Sequence, residues 1–529
     1  MGLVLGTLNR SCGCWNPIGN FPPLVPCGKP GRISHSMAYE SMRAWVEQLD
    51  RAGELLRVRE AARTNLEIAA AADQESKSKG GGQALLFEKP VGPDGKEYGF
   101  PVLINGYGSA KRMAMALGRE TVEEIGEEVG ALVKAKPPAG LAQAWDLLKR
   151  GLELRHARPV STGSGSCQEV VHRVEEGGKG LEEIPVLKTW PNDGGPFLTL
   201  PQVITEDPET KERNVGMYRM QVLGPWEAAL HWQLHKVGAR HGKKYREMGK
   251  PMPVAVALGG DPANAFAATA PLPDGIDEYM FAGFVRKKSV AFVPAVSQPI
   301  RVPADADFVI EGTVDPKGEP VDEGPFGDHT GFYTPVDKYP RFRITAITHR
   351  KDAIYPATVV GKPPMEDFWL GSASVRILMP VLKMNFPELV DLALPAEGVF
   401  HNLAFVSLKK QYPYQAFKLM HGLWGAGQMM FTKVIVAVDE HVNVHDTSEV
   451  LFFLGANVDP ERDTIFIKSP CDSLDHAPSV PNVGSHMGID ATRKLPGEGY
   501  TRGWPEECRT TPEAAARARG LITRAKGGR

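Results

Sequence analysis

Asn214-Val-Gly-Met-Tyr-Arg219 opens the stretch of sequence, from position 214 to position 329, that decides the central architecture of this chain. It is followed by Ala-Leu-His231-Trp-Gln, by Asp-Glu278-Tyr and by Glu323-Gly-Pro-Phe-Gly-Asp328-His. These four blocks supply three potential metal ligands, one fixed cation and two carboxylates. Around them, from 160 to 348, short apolar runs alternate with Gly, Pro and Asp turns. That pattern favours a β-barrel or a β-sandwich.

The segments on either side predict α/β domains. Before the central region, apolar residues at helical spacing and short apolar runs bounded by Gly and Pro predict two helices and three strands between 38 and 104. After it, the order strand, helix, strand at 402–408, 414–428 and 433–438 predicts a βαβ unit. We therefore expect α/β domains at 37–155 and 349–510 around a β domain at 156–348, with a disordered or wrongly extended leader at 1–36 and a peripheral tail at 511–529.

Composition excludes several classes of protein. A chain of 529 residues exceeds one ordinary hydrophobic core, which predicts about two or three domains. The net charge of -2 and the scattered Lys and Arg argue against a nucleic-acid partner. Six cysteines without Cys-x-x-Cys spacing fit a reducing cytoplasm. No apolar run approaches the roughly 20 residues that span a bilayer, and residues 1–36 lack the regions of a signal peptide.

Asn214, His231 and Glu278 are candidate metal ligands, because their oxygen and nitrogen donors suit a divalent ion such as Mn²⁺ or Mg²⁺. Strict alternation over 230–235 predicts a half-buried strand that turns His231 toward a polar site. Glu278 lies in a helix predicted at 274–286. Spacing alone does not show that the three side chains converge, and an isolated histidine is more often an ordinary hydrogen-bonded group.

Arg219, Glu323 and Asp328 are the candidate charged groups. The guanidinium of Arg219 is always protonated and its planar fork suits a carboxylate. In one strand predicted at 213–223 it would point away from Asn214, unless Gly216 forms a bulge. Glu323 and Asp328 flank a Gly-Pro turn; because close carboxylates repel, we expect one to hold its proton well above its usual pKa and to act as an acid near neutrality. The alternative is an ordinary solvated turn.

At these blocks the chain resembles the UbiD family of decarboxylases, which use prenylated FMN, over roughly residues 38 to 505. The motifs that carry the resemblance are Asn214-Val-Gly-Met-Tyr-Arg-Met-Gln221, Ala257-Leu-Gly-Gly-Asp-Pro-Ala263, Glu323-Gly-Pro-Phe-Gly-Asp-His-Thr-Gly331, Lys409-Lys-Gln-Tyr412 and Gly488-Ile-Asp-Ala-Thr492. The resemblance implies an N-terminal α/β domain, a central flavin-binding split β-barrel and a C-terminal α/β domain used in assembly, from a dimer to a hexamer.

Carried over position by position, the resemblance implies that Asn214, His231 and Glu278 hold Mn²⁺ or another divalent cation, with K⁺ as an additional ion. Family members differ at the position of His231, where some carry Arg. The divalent ion would anchor the cofactor phosphate. The residues implied to bind the prenylated FMN are Asn214, Met217, Tyr218, Arg219, His231, Trp232, Gln233, Leu234, Lys236 and Glu278.

The resemblance also implies the reaction. Arg219 would orient a substrate carboxylate, Glu323 would tune Arg219, and Asp328 would donate the proton that replaces CO₂. The expected activity is decarboxylation of a small aromatic or α,β-unsaturated acid in the cytoplasm, with a flavin prenyltransferase as cofactor supplier. The menaquinone-biosynthesis branch is the most similar, and the ubiquinone branch acting on 4-hydroxy-3-polyprenylbenzoate nearly as much. A hydrolase that activates water with Asn214, His231 and Glu278 is the alternative.

Overall fold

A computed structural model describes residues 38–133, 155–232, 237–272 and 275–527. The leader predicted at 1–36 lies outside the described residues, as do Gln233, Leu234 and Lys236 of the predicted flavin site. None of the described helices is long and apolar enough to cross a membrane.

The N-terminal region is a four-stranded sheet packed against helices. In sheet order its strands are Leu55–Arg63, Ala84–Val91, Val102–Ile104 and Tyr355–Pro356. Its helices are Met42–Arg51, Glu67–Ser76, Ala110–Ala116 and Glu123–Val133. The first helix begins at Ser41, whose hydroxyl accepts a hydrogen bond from the Ala44 amide, and it buries Met42, Trp45, Val46 and Leu49 at helical spacing. The helices and strands predicted here are confirmed within a few residues at their ends.

The central region is a nine-stranded sheet whose neighbours are antiparallel. Its strands in sheet order are Phe197–Leu198, Met220–Gly224, Glu227–Leu230, Arg341–His349, Phe308–Val314, Met252–Leu258, Gln202–Glu206 and Arg213–Met217, with Val170–Arg173 paired to Arg341–His349. The central region also contains a separate three-stranded sheet, with the strands in the order Arg301–Pro303, Ala291–Pro294 and Val160–Ser161.

The prediction of one strand over 213–223 was wrong, and the difference explains why the sheet curls. Arg213–Met217 is the last strand at one end of the sheet, whereas Met220–Gly224 is next to last at the other end. Tyr218 and Arg219 are the only residues between them, and three residue steps reach at most about 11 Å. The two ends of the sheet must therefore approach each other, and Arg219 lies in the seam.

Gly216 does not form the bulge that the sequence suggested, because the pairing of Arg213–Met217 with Gln202–Glu206 has no register shift. Its role is different. A Cβ atom on Gly216 would lie 2.3 Å from the ring of Tyr218, so glycine makes room for that ring to fold back over the strand end. The strand predicted over 230–235 also ends early, at Leu230, which leaves His231 and Trp232 outside regular structure.

The C-terminal region is a five-stranded sheet in the order Leu389–Ala393, Leu403–Leu408, Val434–Asp439, Val483–Asp490 and Thr464–Pro470. The predicted βαβ unit is confirmed: Leu403–Leu408 and Val434–Asp439 pair in parallel, and the helix Gln415–Trp424 connects them. This helix is shorter than predicted, because it ends at Gly425. The long helix Glu366–Asn385 leads into the sheet, Thr447–Asn457 covers it, and Pro512–Gly527 is the last described helix.

Candidate active site

Arg219 is the centre of a buried ion cluster in the seam. Its Nε donates to Glu323 Oε1 at 2.7 Å and its Nη2 to Glu323 Oε2 at 3.1 Å, which is the two-pronged geometry that fixes both groups. Its Nη1 donates to Asp328 Oδ2, and its Nη2 also donates to Thr334 Oγ1 at 3.1 Å. The guanidinium lies 4.5 Å from the centre of the Phe326 ring, a cation–π contact.

The turn that carries the two carboxylates is buried, so the solvated-turn alternative is excluded. Glu323 has no exposed surface, and Asp328 and Phe326 are also buried. Gly324 adopts φ +97°, a conformation that favours glycine, and its amide donates to Gln221 Oε1 at 2.8 Å. The packing places the Glu323 and Asp328 carboxylates on opposite sides of one guanidinium.

The prediction that one carboxyl would stay protonated was wrong. Burial alone would raise the pKa of Asp328, but the hydrogen bond from His329 and the charge of Arg219 hold it well below its usual value. Burial is likewise outweighed at Glu323 by hydrogen bonds from His231 and Arg219, which lower its pKa. Both groups are therefore carboxylates near neutrality. The attraction of each carboxylate to Arg219 outweighs the repulsion between the two carboxylates.

His231 belongs to the same cluster. Its Nδ1 lies 3.3 Å from Glu323 Oε2, and its ring is 4.2 Å from the ring of Tyr339. Burial raises the pKa of the Tyr339 hydroxyl to about 12, so this side chain is a neutral hydroxyl at the edge of the site. His231 thus turns toward a polar site, although it is not part of a strand.

Glu278 is bound to the strand that carries Asn214. Glu278 Oε2 accepts a hydrogen bond of 2.9 Å from the amide of Val215, the residue after Asn214. Glu278 is the first residue of the helix Glu278–Arg286, which Asp277 caps, so this helix begins later than predicted. Burial raises the pKa of Glu278 to about 7.

Three buried polar atoms of the predicted site residues lack a hydrogen-bond partner among the described residues: Asn214 Nδ2, His231 Nε2 and Trp232 Nε1. Unpartnered buried polar atoms are rare in folded proteins and call for an explanation such as a ligand. All three belong to residues predicted to bind cofactor or metal. Among the described residues, no three His, Cys, Asp or Glu side chains are grouped as a metal site. The predicted metal ligands include only two residues of these four types, His231 and Glu278. The side chain of His231 contacts Glu323.

Two histidines that the sequence analysis did not assign complete the cluster. His329 Nδ1 lies 2.8 Å from Asp328 Oδ1, and His329 Nε2 lies 2.7 Å from His401 Nε2. His329 stands beside Asp328 in the motif at 323–331 and could have been noticed there. His401 comes from the C-terminal region, and no local pattern predicts its contact with a turn of the central region.

Three family models match consecutive parts of the chain. The N-terminal domain of the 3-octaprenyl-4-hydroxybenzoate carboxy-lyase family, UbiD_N, matches residues 46–129. The Rift-related domain, UbiD, matches residues 158–363, and the C-terminal domain, UbiD_C, matches residues 368–491. The chain belongs to the UbiD family of carboxy-lyases. An uncharacterized protein of Aquifex aeolicus is 47% identical over 479 residues, which are 90% of this chain and 97% of that protein.

Solved UbiD-class structures share the fold. Vanillic acid decarboxylase of Sedimentibacter hydroxybenzoicus is 26% identical with a TM-score of 0.78, covering 92% of this chain and 99% of that one. HmfF of Pelotomaculum thermopropionicum, in complex with FMN, is 26% identical with a TM-score of 0.74, covering 90% and 98%. An evolved dimeric form of HmfF in complex with prFMN has a TM-score of 0.73, with 26% identity and the same coverage. The predicted fold class, with its central flavin-binding-type split barrel between α/β domains, is confirmed.

Proposed function

We propose that this UbiD-family carboxy-lyase decarboxylates a small aromatic or α,β-unsaturated acid with the help of prenylated FMN. The observation that carries the proposal is the buried cluster of Arg219 between Glu323 and Asp328 in the seam of the central sheet. A fixed cation beside two ionised carboxylates is an arrangement that can bind an acid and return a proton to it. HmfF, which shares this fold, has been solved with FMN and in an evolved form with prFMN.

The residues along the seam fit a flavin and its phosphate. Asn214, His231 and Trp232 offer the buried polar atoms that have no partner among the described residues. Met217 ends the strand that carries Asn214, and Tyr218 follows it in the seam. Glu278 adds a carboxylate beside this strand. Asn214, Glu278 and His231 would hold Mn²⁺ or another divalent ion that binds the phosphate, with K⁺ as an additional ion. When bound, the prenylated flavin supplies an electrophilic site that takes up the electron pair left by CO₂.

Arg219 positions the substrate carboxylate. Four of its five N–H donors have partners among the described residues, namely two to Glu323, one to Asp328 and one to Thr334. It can therefore give a substrate carboxylate one hydrogen bond without rearrangement. Glu323 is held on both sides, by Arg219 and by His231, so its role is to keep the guanidinium in place.

Asp328 is the group that returns a proton to the carbon that has lost CO₂. It is buried, it touches Arg219, and its other oxygen faces His329. Because the pKa of Asp328 lies below its usual range in the protein without substrate, the residue needs a proton during the reaction. The overall change is loss of CO₂ from the acid and gain of one proton at the same carbon.

The physiological setting is a further part of the proposal. We infer a cytoplasmic enzyme of menaquinone or ubiquinone biosynthesis, supplied with cofactor by a flavin prenyltransferase and assembled from copies of itself. The free thiols of Cys167, Cys471 and Cys508 support a reducing compartment. The evolved dimeric form of HmfF, which shares this fold, supports self-assembly. The hydrolase alternative is not favoured, because the family is one of carboxy-lyases and vanillic acid decarboxylase of Sedimentibacter hydroxybenzoicus shares the fold.

The test compares protein produced with and without a flavin prenyltransferase. Bound flavin is identified by mass spectrometry, and CO₂ release is measured with a panel of hydroxybenzoic, furoic and cinnamic acids. We expect CO₂ release only from the protein that carries prenylated flavin. Loaded protein that releases no CO₂ from any acid, or unloaded protein that hydrolyses esters or phosphates, would contradict the proposal.

A further inference from the structure

Asp328 is the first member of a chain of three hydrogen-bonded side chains that leads out of the central region. His329 Nδ1 lies 2.8 Å from Asp328 Oδ1, and the His329 backbone amide donates to the same oxygen at 2.7 Å. His329 Nε2 lies 2.7 Å from His401 Nε2. His401 lies in the loop before the strand Leu403–Leu408 of the C-terminal sheet. The chain therefore joins the carboxylate in the seam to a different domain.

The surroundings of His329 favour its charged form. Burial opposes the charge, but the hydrogen bond and the charge of Asp328 outweigh burial, with further contributions from Asp367 and Asp472. The pKa of His329 is raised as a result. Asp367 lies in the first turn of the helix Glu366–Asn385, and its buried Oδ2 has no hydrogen-bond partner among the described residues.

The surroundings of His401 favour its neutral form. Burial and then the charge of His329 lower the pKa of His401, against the attraction of Asp472 and Asp475, while Lys433 adds to the lowering. A neutral His401 can accept through Nε2, and a charged His329 donates through both of its ring nitrogens. The two rings therefore have complementary roles in one hydrogen bond.

We propose that His329 supplies Asp328 with the proton used in decarboxylation, and that His401 holds His329 in position for that transfer. This inference rests on the proposed function, in which Asp328 protonates the product. It assigns a proton source to a carboxylate that the resting protein holds ionised. His329 acts through Asp328 and is a proton-supplying residue, and His401 is a positioning residue.

The transfer balances without any oxidant or reductant. As CO₂ leaves and negative charge develops on the substrate carbon, the His329 Nδ1–H bond breaks and an O–H bond forms on Asp328. That O–H bond then breaks as the new C–H bond forms. The imidazolium of His329 ends as neutral imidazole, and Asp328 ends as the carboxylate it was at the start. His329 regains a proton from water before the next turnover.

The first test needs no turnover. In the full-length protein with histidines labelled with ¹³C at Cε1, the signal of His329 is the one that His329→Asn removes. We expect it to titrate above the ordinary value of about 6.5, and to move toward that value in Asp328→Asn. A signal with a pKa at or below about 6.5, or a pKa that does not change in Asp328→Asn, would overturn the role of His329 as proton source.

The second test measures decarboxylation per bound flavin between about pH 5.5 and 9. His329→Asn keeps an N–H donor near Nδ1 but cannot pass on its proton, so we expect kcat to fall at least about tenfold with little change in KM. Wild-type kcat should decline as pH rises through the raised pKa of His329, and His329→Asn should lose that dependence. Added imidazole should restore part of the activity of His329→Ala.

Matched variants separate proton supply from packing. His401→Gln keeps an acceptor oxygen and should lose less activity than His401→Leu. His349→Gln is the control, because His349 Nε2 lies 3.4 Å from His172 Nε2 in a histidine pair outside the site; its kcat should equal that of the wild type. A His329→Asn enzyme with wild-type kcat and pH profile would overturn this inference and leave the proposed function intact. Loaded wild-type protein without turnover would instead overturn the proposed function, and the titration of His329 would still decide its charge.

Discussion

Arg219→Met should destabilise the protein even without cofactor, because it leaves two buried carboxylates without their cation. The exposed fractions of the side chains are 10% for Arg219, 0% for Glu323 and 7% for Asp328, so water cannot replace the lost partner. Removing one member of a buried ion pair costs about 3–5 kcal/mol. For a unit of about 200 residues this corresponds to a fall of roughly 6–20 °C in melting temperature.

The stability lost in Arg219→Met should decrease as the pH is lowered. The pKa of Asp328 in the folded protein lies below its value in the unfolded chain, which is about 3.9. Its stabilising contribution is therefore complete above that pH and is lost as the pH falls through the folded pKa. We expect the gap between wild type and Arg219→Met to be full at pH 7.5 and to shrink below about pH 4.

The assay is thermal unfolding followed by circular dichroism, with midpoints compared because a chain of this size does not unfold in two states. Arg341→Met is the matched control, since Arg341 pairs with Glu227 in side chains that are 38% and 41% exposed. An exposed pair is worth about 0–1 kcal/mol. If Arg219→Met melts no lower than Arg341→Met at pH 7.5, the reasoning about the buried cluster is refuted.

Two other predictions concern the packing of the central region and the proposed metal ligand Glu278. Gly259→Ala should lower the free energy of unfolding by at least about 2 kcal/mol, because Gly259 has φ +77° and a Cβ atom there would lie 2.4 Å from Asp307 Oδ2. Gly95→Ala is the control, since Gly95 has φ +85° but open space around it, and this variant should lose less stability. Equal melting temperatures of the two variants would contradict the prediction. Glu278→Gln should keep the fold but lower Mn²⁺ and flavin occupancy together, measured by elemental analysis and absorbance, and wild-type occupancy of both would remove Glu278 from the site.

Local patterns in the sequence predicted most of the secondary structure. The strands at Ala84 and Val254 and the βαβ unit that begins near Leu403 follow from runs of apolar residues and their spacing, which depend on neighbours in the chain. The break between Met217 and Met220 could not be predicted in this way. It exists because the sheet closes on itself, and closure depends on contacts between strands that are distant in sequence.

The candidate site was predicted as a set of residues but not as an electrostatic unit. The sequence placed Glu323 and Asp328 close together, and repulsion was then the expected result. The structure inserts Arg219 between them and adds His329 on the far side of Asp328, so the pKa of each carboxyl falls instead of rising. His401 was out of reach of sequence reasoning, because its contact with His329 joins two domains.

Proton return by Asp328 is the central claim, and deuterium incorporation tests it most directly. The measurement uses wild-type and Asp328→Asn proteins carrying equal amounts of prenylated flavin, with an aromatic acid in D₂O, and counts product and deuterium per bound flavin. We predict one deuterium at the carbon that lost CO₂ in the wild-type product, and a fall in turnover of roughly 10²–10⁴-fold in Asp328→Asn. Full turnover with normal deuterium uptake in Asp328→Asn would contradict the account and leave Glu323 as the next candidate for the acid.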